Sequence, residues 1–128
     1  MKNTQAPIVL ADDSSVYRVL IKRELEAATG MRVDAYPDGE TLLKEIDYEP
    51  LIILLDYHFD FDNEENNGSK TLVELRNKKI KAPVVLVTGI SNPEFVASRA
   101  KEDFIAVIDK FDEDMIARIV EIILKLKN

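Results

Sequence analysis

The 128-residue sequence contains no cysteine, and it has only one histidine, four glycines and five prolines. The absence of cysteine excludes disulfides, thiolate chemistry and zinc sites built on sulfur ligands. The shortage of glycine and proline leaves no tract typical of a linker or of low complexity. Because 46% of the residues are hydrophobic and 32% are charged, the composition indicates one globular domain over residues 1–128.

The sequence also lacks long apolar runs. The longest, Leu51–Leu55, suits a strand and falls far short of the roughly 20 residues that a membrane helix needs. The segment Met1–Pro7 is polar and has no apolar core of a secretory signal. We therefore expect a cytoplasmic location with no membrane contact. The formal net charge of −7 disfavours direct binding to nucleic acid, which relies on Lys and Arg against phosphates.

Short apolar runs alternate with segments of helical periodicity along the whole chain. The predicted strands are Ile8–Ala11, Met31–Tyr36, Leu51–Leu55, Val84–Val87 and Ile105–Ile108. The predicted helices run from Ser14 or Ser15 to Gly30, from Glu40 to Ile46, from Ser69 to Asn77, from the cap Asn92-Pro93 to about Lys101, and from Asp112 to Lys127. Such alternation predicts an α/β fold, a doubly wound five-stranded parallel sheet with flavodoxin-like (β/α)5 order.

Helical spacing also predicts which helix faces meet the core. The predicted core residues of the first helix are Val16, Val19, Leu20 and Ala27. The predicted core stripe of the last helix is Ile116, Ile119, Val120 and Ile123. A second apolar face of that helix holds Met115, Ile122 and Leu126. Two faces indicate either deep burial or a contact surface, such as a homodimer formed through the last helix.

Polar side chains follow four of the five predicted strands. They are Asp12 and Asp13, Asp56, Thr88 and Lys110. In a parallel sheet the carboxyl ends of the strands share one edge, where the functional crevice lies. A single Asp at a strand end is commonly a turn or helix cap, but this set is chemically coherent. Three carboxylates repel each other unless a hard cation such as Mg²⁺ is bound, and a carboxylate can accept a phosphoryl group.

The strand-end motifs resemble those of the receiver family of two-component signalling. They are Asp12-Asp13, Leu54-Leu55-Asp56, Val87-Thr88-Gly89 and Ile108-Asp109-Lys110. The similarity covers essentially the whole chain and implies a CheY-like phosphoacceptor. By this resemblance, Asp56 would accept phosphate from a histidine kinase or phosphotransfer protein. Lys110 would contact the phosphoryl group, and Thr88 would move toward it. A downstream target protein would then recognise the altered conformation.

The resemblance also implies a metal site. Asp13, Asp56 and the backbone carbonyl of His58 would bind Mg²⁺, and Asp12 would assist largely through water. His58 is the only histidine. Its side chain, two residues beyond the acceptor, is a candidate for influencing the lifetime of the phosphate.

Some positions depart from the family pattern. The proline expected after Asp56 is missing, Gly68 arrives late, and residues 59–66 resemble an insertion. Phe111 stands where the family has proline, so a cis peptide is not expected there. The small Gly-Ala step before the last strand is Glu102-Asp103.

The departure with most bearing on output is Val107, which replaces the switch aromatic of the last strand. These changes leave the phosphorylation chemistry intact and affect the output. We therefore expect the stretches Thr88–Lys101 and His58–Asn67 to become ordered on phosphorylation, and a partner to contact them together with the last helix.

Four alternatives remain open. A pseudo-receiver would bind partners without phosphorylation, but the retained Asp56 and Lys110 disfavour it. A phosphatase forming an aspartyl-phosphate commonly has a second Asp where this chain has His58. An FMN carrier would need a hydroxyl-rich phosphate loop after the first strand. A calcium loop starting at Asp60 would need glycine where Glu65 stands.

Overall fold

The computed structural model describes residues 6–57, 67–89 and 93–127. Within them, five strands alternate with five helices. The strands are β1 (Ile8–Ala11), β2 (Val33–Tyr36), β3 (Ile52–Leu55), β4 (Val84–Thr88) and β5 (Ala106–Asp109). The helices are α1 (Ser15–Thr29), α2 (Gly39–Glu45), α3 (Gly68–Asn77), α4 (Pro93–Arg99) and α5 (Met115–Lys127). The alternation confirms the predicted fold class.

The strands form one parallel sheet in the order β2-β1-β3-β4-β5. In the register, Ile8 lies between Val33 and Ile52, and Leu55 pairs with Leu86. This is the flavodoxin-like order that the sequence predicts. Every residue of β1, β3 and β4 is buried, as expected for strands covered by helices on both faces.

Two hydrophobic clusters fill the spaces on the two faces of the sheet. Alternate residues of β3 point to opposite faces, so Ile52 and Leu54 join one cluster while Ile53 and Leu55 join the other. The first cluster packs against α1 and α5, and the second against α2 and α3. Helix α4 contributes no buried residue to either cluster.

The predicted core face of α1 is wrong. Val16 and Val19 are 73% and 61% exposed, Ala27 is exposed as well, and Leu20 is only half-buried. The buried residues are Ile21 and Leu25, which are one turn apart. The helix carries two apolar stripes offset by one residue, and only one can face the sheet. The stripe that holds Ile21 and Leu25 occupies the core, and these side chains are larger than those of Val16 and Val19.

The predicted core stripe of α5 is partly right. Ile119 and Ile123 are fully buried, but the third buried residue is Met115, which the sequence placed on the second face. Ile116 and Val120 pack at the margin of the core. The stripe therefore follows the one-turn spacing from residue 115 to 119 to 123, and Leu126 at the helix end is 37% exposed.

Several boundaries also differ by a few residues. Helix α5 begins at Met115 rather than Asp112, because the Asp112 carboxylate accepts the Asp114 N–H at 2.8 Å and closes a turn there. Strand β2 begins at Val33 and helix α4 ends at Arg99. The predicted cap Asn92 lies outside the described residues. Ser14 caps α1, and Gly30 ends it with φ of 71°.

Among the described residues, none of the helices has the length and apolar character needed to cross a membrane.

Candidate functional site

Backbone hydrogen bonds between strands fix the loop residues at the carboxyl edge of the sheet. Asp56 N–H donates to the Ala11 carbonyl at 3.0 Å, directly beyond the last pair of β1 and β3. Lys110 N–H donates to the Thr88 carbonyl at 2.9 Å, directly beyond the last pair of β4 and β5. The ladder therefore continues into the site, and it sets the positions of Asp56 and Lys110.

The structure brings the three predicted carboxylates together. Oxygens of Asp12, Asp13 and Asp56 lie within 4.8 Å of one another. Asp12 and Asp56 are buried, whereas Asp13 is exposed, so the cluster opens to solvent on the side of Asp13. An all-oxygen donor set with one open side fits Mg²⁺, which keeps several waters when it binds carboxylates. Among the described residues this is the single group that could hold a metal ion in this way.

Lys110 is the cation that faces this cluster. Its Nζ lies 2.7 Å from Oδ2 of Asp12 and 3.5 Å from Oδ2 of Asp56, and its side chain is 7% exposed. Burial lowers the pKa of Lys110, but the hydrogen bond to Asp12 and the charges of both carboxylates outweigh burial and raise it. Lys110 is therefore charged at neutral pH.

One ammonium does not compensate three carboxylates. Burial, together with the charges of Asp12 and Asp13, raises the pKa of Asp56 to about 7 against the opposing effect of Lys110. Burial and the neighbouring Asp12 also raise the pKa of Asp13. Without a bound cation the site thus retains protons near neutrality, and this indicates a deficit of positive charge.

This deficit makes the stability of the metal-free domain depend on pH. The pKa of Asp56 rises from an unfolded value of 3.8 to about 7, so between these values the folded state binds more protons. The free energy of unfolding should fall as the pH rises through this window and level off above it. Asp13 acts in the same direction, and Lys110 titrates outside the window. Melting curves in a chelator at about pH 5 and about pH 8 measure the effect.

Asp56→Asn removes the main titrating group and should flatten this dependence. A wild-type domain whose stability rises with pH across the window, in the same direction as the variant, would contradict the assignment.

Thr88 is the last residue of β4, and its side chain is 1% exposed. Strand β4 lies between the strand that leads to Asp56 and the strand that leads to Lys110. Thr88 thus occupies the predicted edge of the sheet. His58 lies outside the described residues, and so does the predicted insertion from Phe59 to Asn66.

Gly68 packs against the backbone at Asp56, a close approach that the sequence did not reveal. Its N–H donates to the Tyr57 carbonyl at 2.7 Å. A Cβ at this position would lie 2.9 Å from the Asp56 carbonyl oxygen and 3.0 Å from Leu86 Cδ1. The start of α3 therefore packs against the backbone of the acceptor loop, and only glycine fits.

We expect Gly68→Ala to destabilise the domain by about 1–3 kcal/mol, because the backbone carbonyl that it meets is held by its own strand. Gly89→Ala is the matched control, since its Cβ would meet only the ring end of the exposed Phe111. Urea unfolding measures both variants. Equal losses in the two would show that the close approach at Gly68 carries no cost.

An aromatic pair flanks Lys110 and was also missed from the sequence. The Lys110 ammonium lies 4.7 Å from the centre of the Tyr17 ring. The ring of Phe111 meets that of Tyr17 edge-on, with centroids 6.0 Å apart and planes at 64°. Phe111 is the residue that replaces the family's proline, and none of the described peptide bonds is cis.

A second aromatic cluster joins the acceptor loop to α4. The ring of Tyr57 meets Phe95 edge-on at 4.8 Å, and its hydroxyl accepts a hydrogen bond from Arg99 Nη1 at 2.7 Å. The Arg99 guanidinium lies over both rings, at 5.2 Å and 5.1 Å, and its Nε is 2.6 Å from Glu102 Oε2. We call Tyr57, Phe95 and Arg99 the α4 cluster. The α4 cluster connects α4, which has no buried residue, to Tyr57, the residue directly after Asp56.

A parallel sheet of this order, with acidic residues and a lysine at its carboxyl edge, is typical of CheY-like domains. The profile of the response regulator receiver domain matches residues 8–121. The chain belongs to this family.

The chain is also similar in sequence to a known protein. The chain is 31% identical over 86 residues to a protein-glutamate methylesterase/protein-glutamine glutaminase of Treponema denticola, a match that covers 66% of the chain and 22% of that protein. The chain thus spans about a fifth of that relative's length, and the rest of the relative lies outside the match.

Solved structures share the fold. A LuxR-family DNA-binding response regulator from Staphylococcus aureus is similar with a TM-score of 0.79 at 22% identity, covering 96% of this chain and 99% of that one. A CheY-like receiver domain protein from Methanospirillum hungatei has a TM-score of 0.77 at 20% identity, with 96% and 97% covered. These structures support the fold, and the family match gives the function, that of a receiver domain of two-component response regulators.

Proposed function

We propose that Asp56 is the phosphoryl acceptor and that the donor is a phosphohistidine of a kinase or phosphotransfer protein. Phosphorus would pass from the imidazole nitrogen, which keeps the bonding electron pair, to a carboxylate oxygen of Asp56. The supporting observation is how differently the two buried carboxylates are bound. Oδ1 and Oδ2 of Asp12 are both held, by Ser14 N–H at 2.9 Å and Lys110 at 2.7 Å, whereas Asp56 lies 3.5 Å from Lys110.

The acidic cluster would hold Mg²⁺. Asp13 and Asp56 would be direct ligands, with Asp12 acting largely through water, and the carbonyl of His58 stays a prediction because it lies outside the described residues. Bound Mg²⁺ supplies positive charge against the oxygens of the transferring group. Lys110 alone does not provide enough positive charge to compensate the three carboxylates.

Lys110 and Thr88 would act on the phosphoryl group itself. The Lys110 ammonium would pair with a phosphoryl oxygen, and the Thr88 hydroxyl would donate to another. These groups belong to the domain, so it would assist its own phosphorylation and dephosphorylation. The residues that would carry the chemistry, Asp56, the acidic pair and Lys110, are all retained, and this disfavours the phosphorylation-independent alternative.

The donor would approach over the first turns of α1. Val16 and Val19 are largely exposed there, and they follow the exposed Asp13 by a few residues in the chain. An exposed apolar patch beside a reaction site is typical of a protein contact. Three further points stay predictions. They are a homodimer through α5, a single-domain organisation and a cytoplasmic location.

Intact mass measurement with acetyl phosphate and Mg²⁺ tests the proposal. We expect the mass to increase by one phosphoryl group, and the increase should disappear when a chelator removes the metal. A domain that stays unmodified with Mg²⁺ and excess donor would exclude the phosphoacceptor role and favour the pseudo-receiver.

Output is expected to pass through α4. The α4 cluster links this helix to Tyr57, directly after the acceptor, and Val107 on β5 offers no aromatic ring. Beryllofluoride, a phosphoryl mimic, should therefore change amide hydrogen exchange in residues 93–101 of the wild type. Arg99→Met should weaken this change, and Arg118→Met on α5 should not. Changes confined to other helices would contradict this path.

A further inference from the structure

The ammonium of Lys110 has an uncharged partner besides its carboxylates. Its Nζ contacts Asp12 at 2.7 Å, lies 3.5 Å from Asp56, and sits 4.7 Å from the centre of the Tyr17 ring. The face of an aromatic ring carries negative potential and attracts a cation, more strongly where solvent is excluded. Lys110 is 7% exposed, so solvent weakens this contact little.

We propose that Tyr17 is a positioning residue for phosphoryl transfer, and that its ring holds the Lys110 ammonium beside the site while the charged partners of Lys110 change. This inference rests on the proposed function of Asp56. Asp56 loses its carboxylate when it accepts a phosphoryl group, and Asp12 belongs to the cluster whose oxygens would hold Mg²⁺. Tyr17 is the partner that the reaction leaves unaltered.

The nature of the contact suits a change of partner. A hydrogen bond to a carboxylate is directional and competes with any new acceptor. A ring face has no such direction, so the ammonium can pivot over it from Asp12 toward a phosphoryl oxygen on Asp56. The ring therefore limits where the ammonium goes without opposing the move.

The ring is held in place on several sides. Tyr17 lies in the first turn of α1, where its N–H donates to the capping Ser14 Oγ at 3.3 Å. Its ring packs at the margin of the core cluster between the sheet and α5. Phe111, the residue after Lys110, meets the ring edge-on. A fixed ring can position a flexible lysine, because the side chain with more rotatable bonds adjusts to the one with fewer.

Two measurements test the proposal, and the first needs no phosphorylation. A methylene group beside a ring face has its proton resonances shifted upfield. The ε-methylene protons of Lys110 should show this shift in the wild type and in Tyr17→Phe, and they should lose it in Tyr17→Leu. Tyr36→Leu is the control, because Tyr36 bonds to Tyr48 at the end of β2. An unshifted Lys110 in the wild type would overturn the geometry.

The second measurement is the rate of phosphorylation by acetyl phosphate with Mg²⁺, as a function of donor concentration. Tyr17→Leu should lower the maximal rate constant about 2- to 30-fold and leave the half-saturating concentration unchanged. Tyr17→Phe should keep the wild-type rate, since the ring and not the hydroxyl makes the contact. A maximal rate in Tyr17→Leu equal to wild type, or a Tyr17→Phe variant as slow as Tyr17→Leu, would refute the positioning role.

Tyr17→Met guards against a variant that fails to fold, because it keeps much of the buried volume and has no ring. It should be slowed as Tyr17→Leu is. The two failures remain distinct: an unmodified wild-type domain refutes the proposed function, whereas full phosphorylation at unchanged rate in the ringless variants refutes only the role of Tyr17.

Discussion

Asp56→Asn is expected to abolish phosphoryl incorporation completely. The amide keeps the shape of the carboxyl group but cannot form an acyl phosphate, because its nitrogen and carbonyl are poor nucleophiles at neutral pH. The substitution also removes a buried carboxyl whose pKa is raised to about 7, so the variant should fold at least as well as the wild type in the absence of metal. Intact mass with acetyl phosphate and Mg²⁺ measures the loss.

The control is Asp103→Asn. Asp103 is exposed and pairs with Arg76 outside the site, so it should leave labelling unchanged. Peptide mapping of the labelled wild type should place the modification on the peptide that contains Asp56. Equal labelling of Asp56→Asn and the wild type would move the acceptor to another carboxylate of the cluster.

The second large effect concerns the metal. Asp13→Ala should weaken Mg²⁺ binding by at least about ten-fold, because it removes the exposed carboxylate that completes the oxygen cluster. The negative charge of Asp13 raises the pKa of Asp56, so this pKa should decrease when Asp13 is replaced. Isothermal titration with Mg²⁺ at fixed pH measures the affinity.

Glu24→Ala, an exposed acidic residue on α1, serves as the control for the general loss of one negative charge. If both variants bind Mg²⁺ as the wild type does, the oxygens of Asp13 do not contribute to the metal site.

The part of the fold that periodicity determines could be predicted from the sequence. Strands such as Ile52–Leu55 are apolar on both faces, and their length and spacing leave a parallel sheet as the consistent arrangement. The strand ends follow directly from this, so the order of residues along the chain is enough to assign Asp12, Asp56 and Lys110 to one edge. Resemblance then supplied their roles.

The rotation of helices about their axes and the close approach of backbone segments could not be predicted from the sequence. Helix α1 carries two overlapping apolar stripes, and its rotation is decided by packing against α5 and the sheet rather than by spacing alone. The contact between Tyr17 and Lys110 depends on that same rotation. The fit of Gly68 under Asp56 depends on how a chain of variable length returns to the sheet, and its position in sequence does not reveal it.

The absence of buried residues on α4 has a consequence for how readily the domain changes state. Two conformations exchange with measurable populations only when their free energies differ by a few kcal/mol, and displacing a helix that contributes to the core would cost more than that. Displacing α4 breaks the α4 cluster and the packing of Phe95 at the margin of the second hydrophobic cluster. The ring and guanidinium contacts of the α4 cluster are each worth about 0.5–2 kcal/mol. Under the proposed function, a phosphoryl group on Asp56 would then need to supply only a few kcal/mol to invert the populations. Arg99 and the rings of Tyr57 and Phe95 would set the free-energy difference between the two conformations. Substitutions at these residues should therefore change the populations in the unphosphorylated domain without altering the chemistry at Asp56.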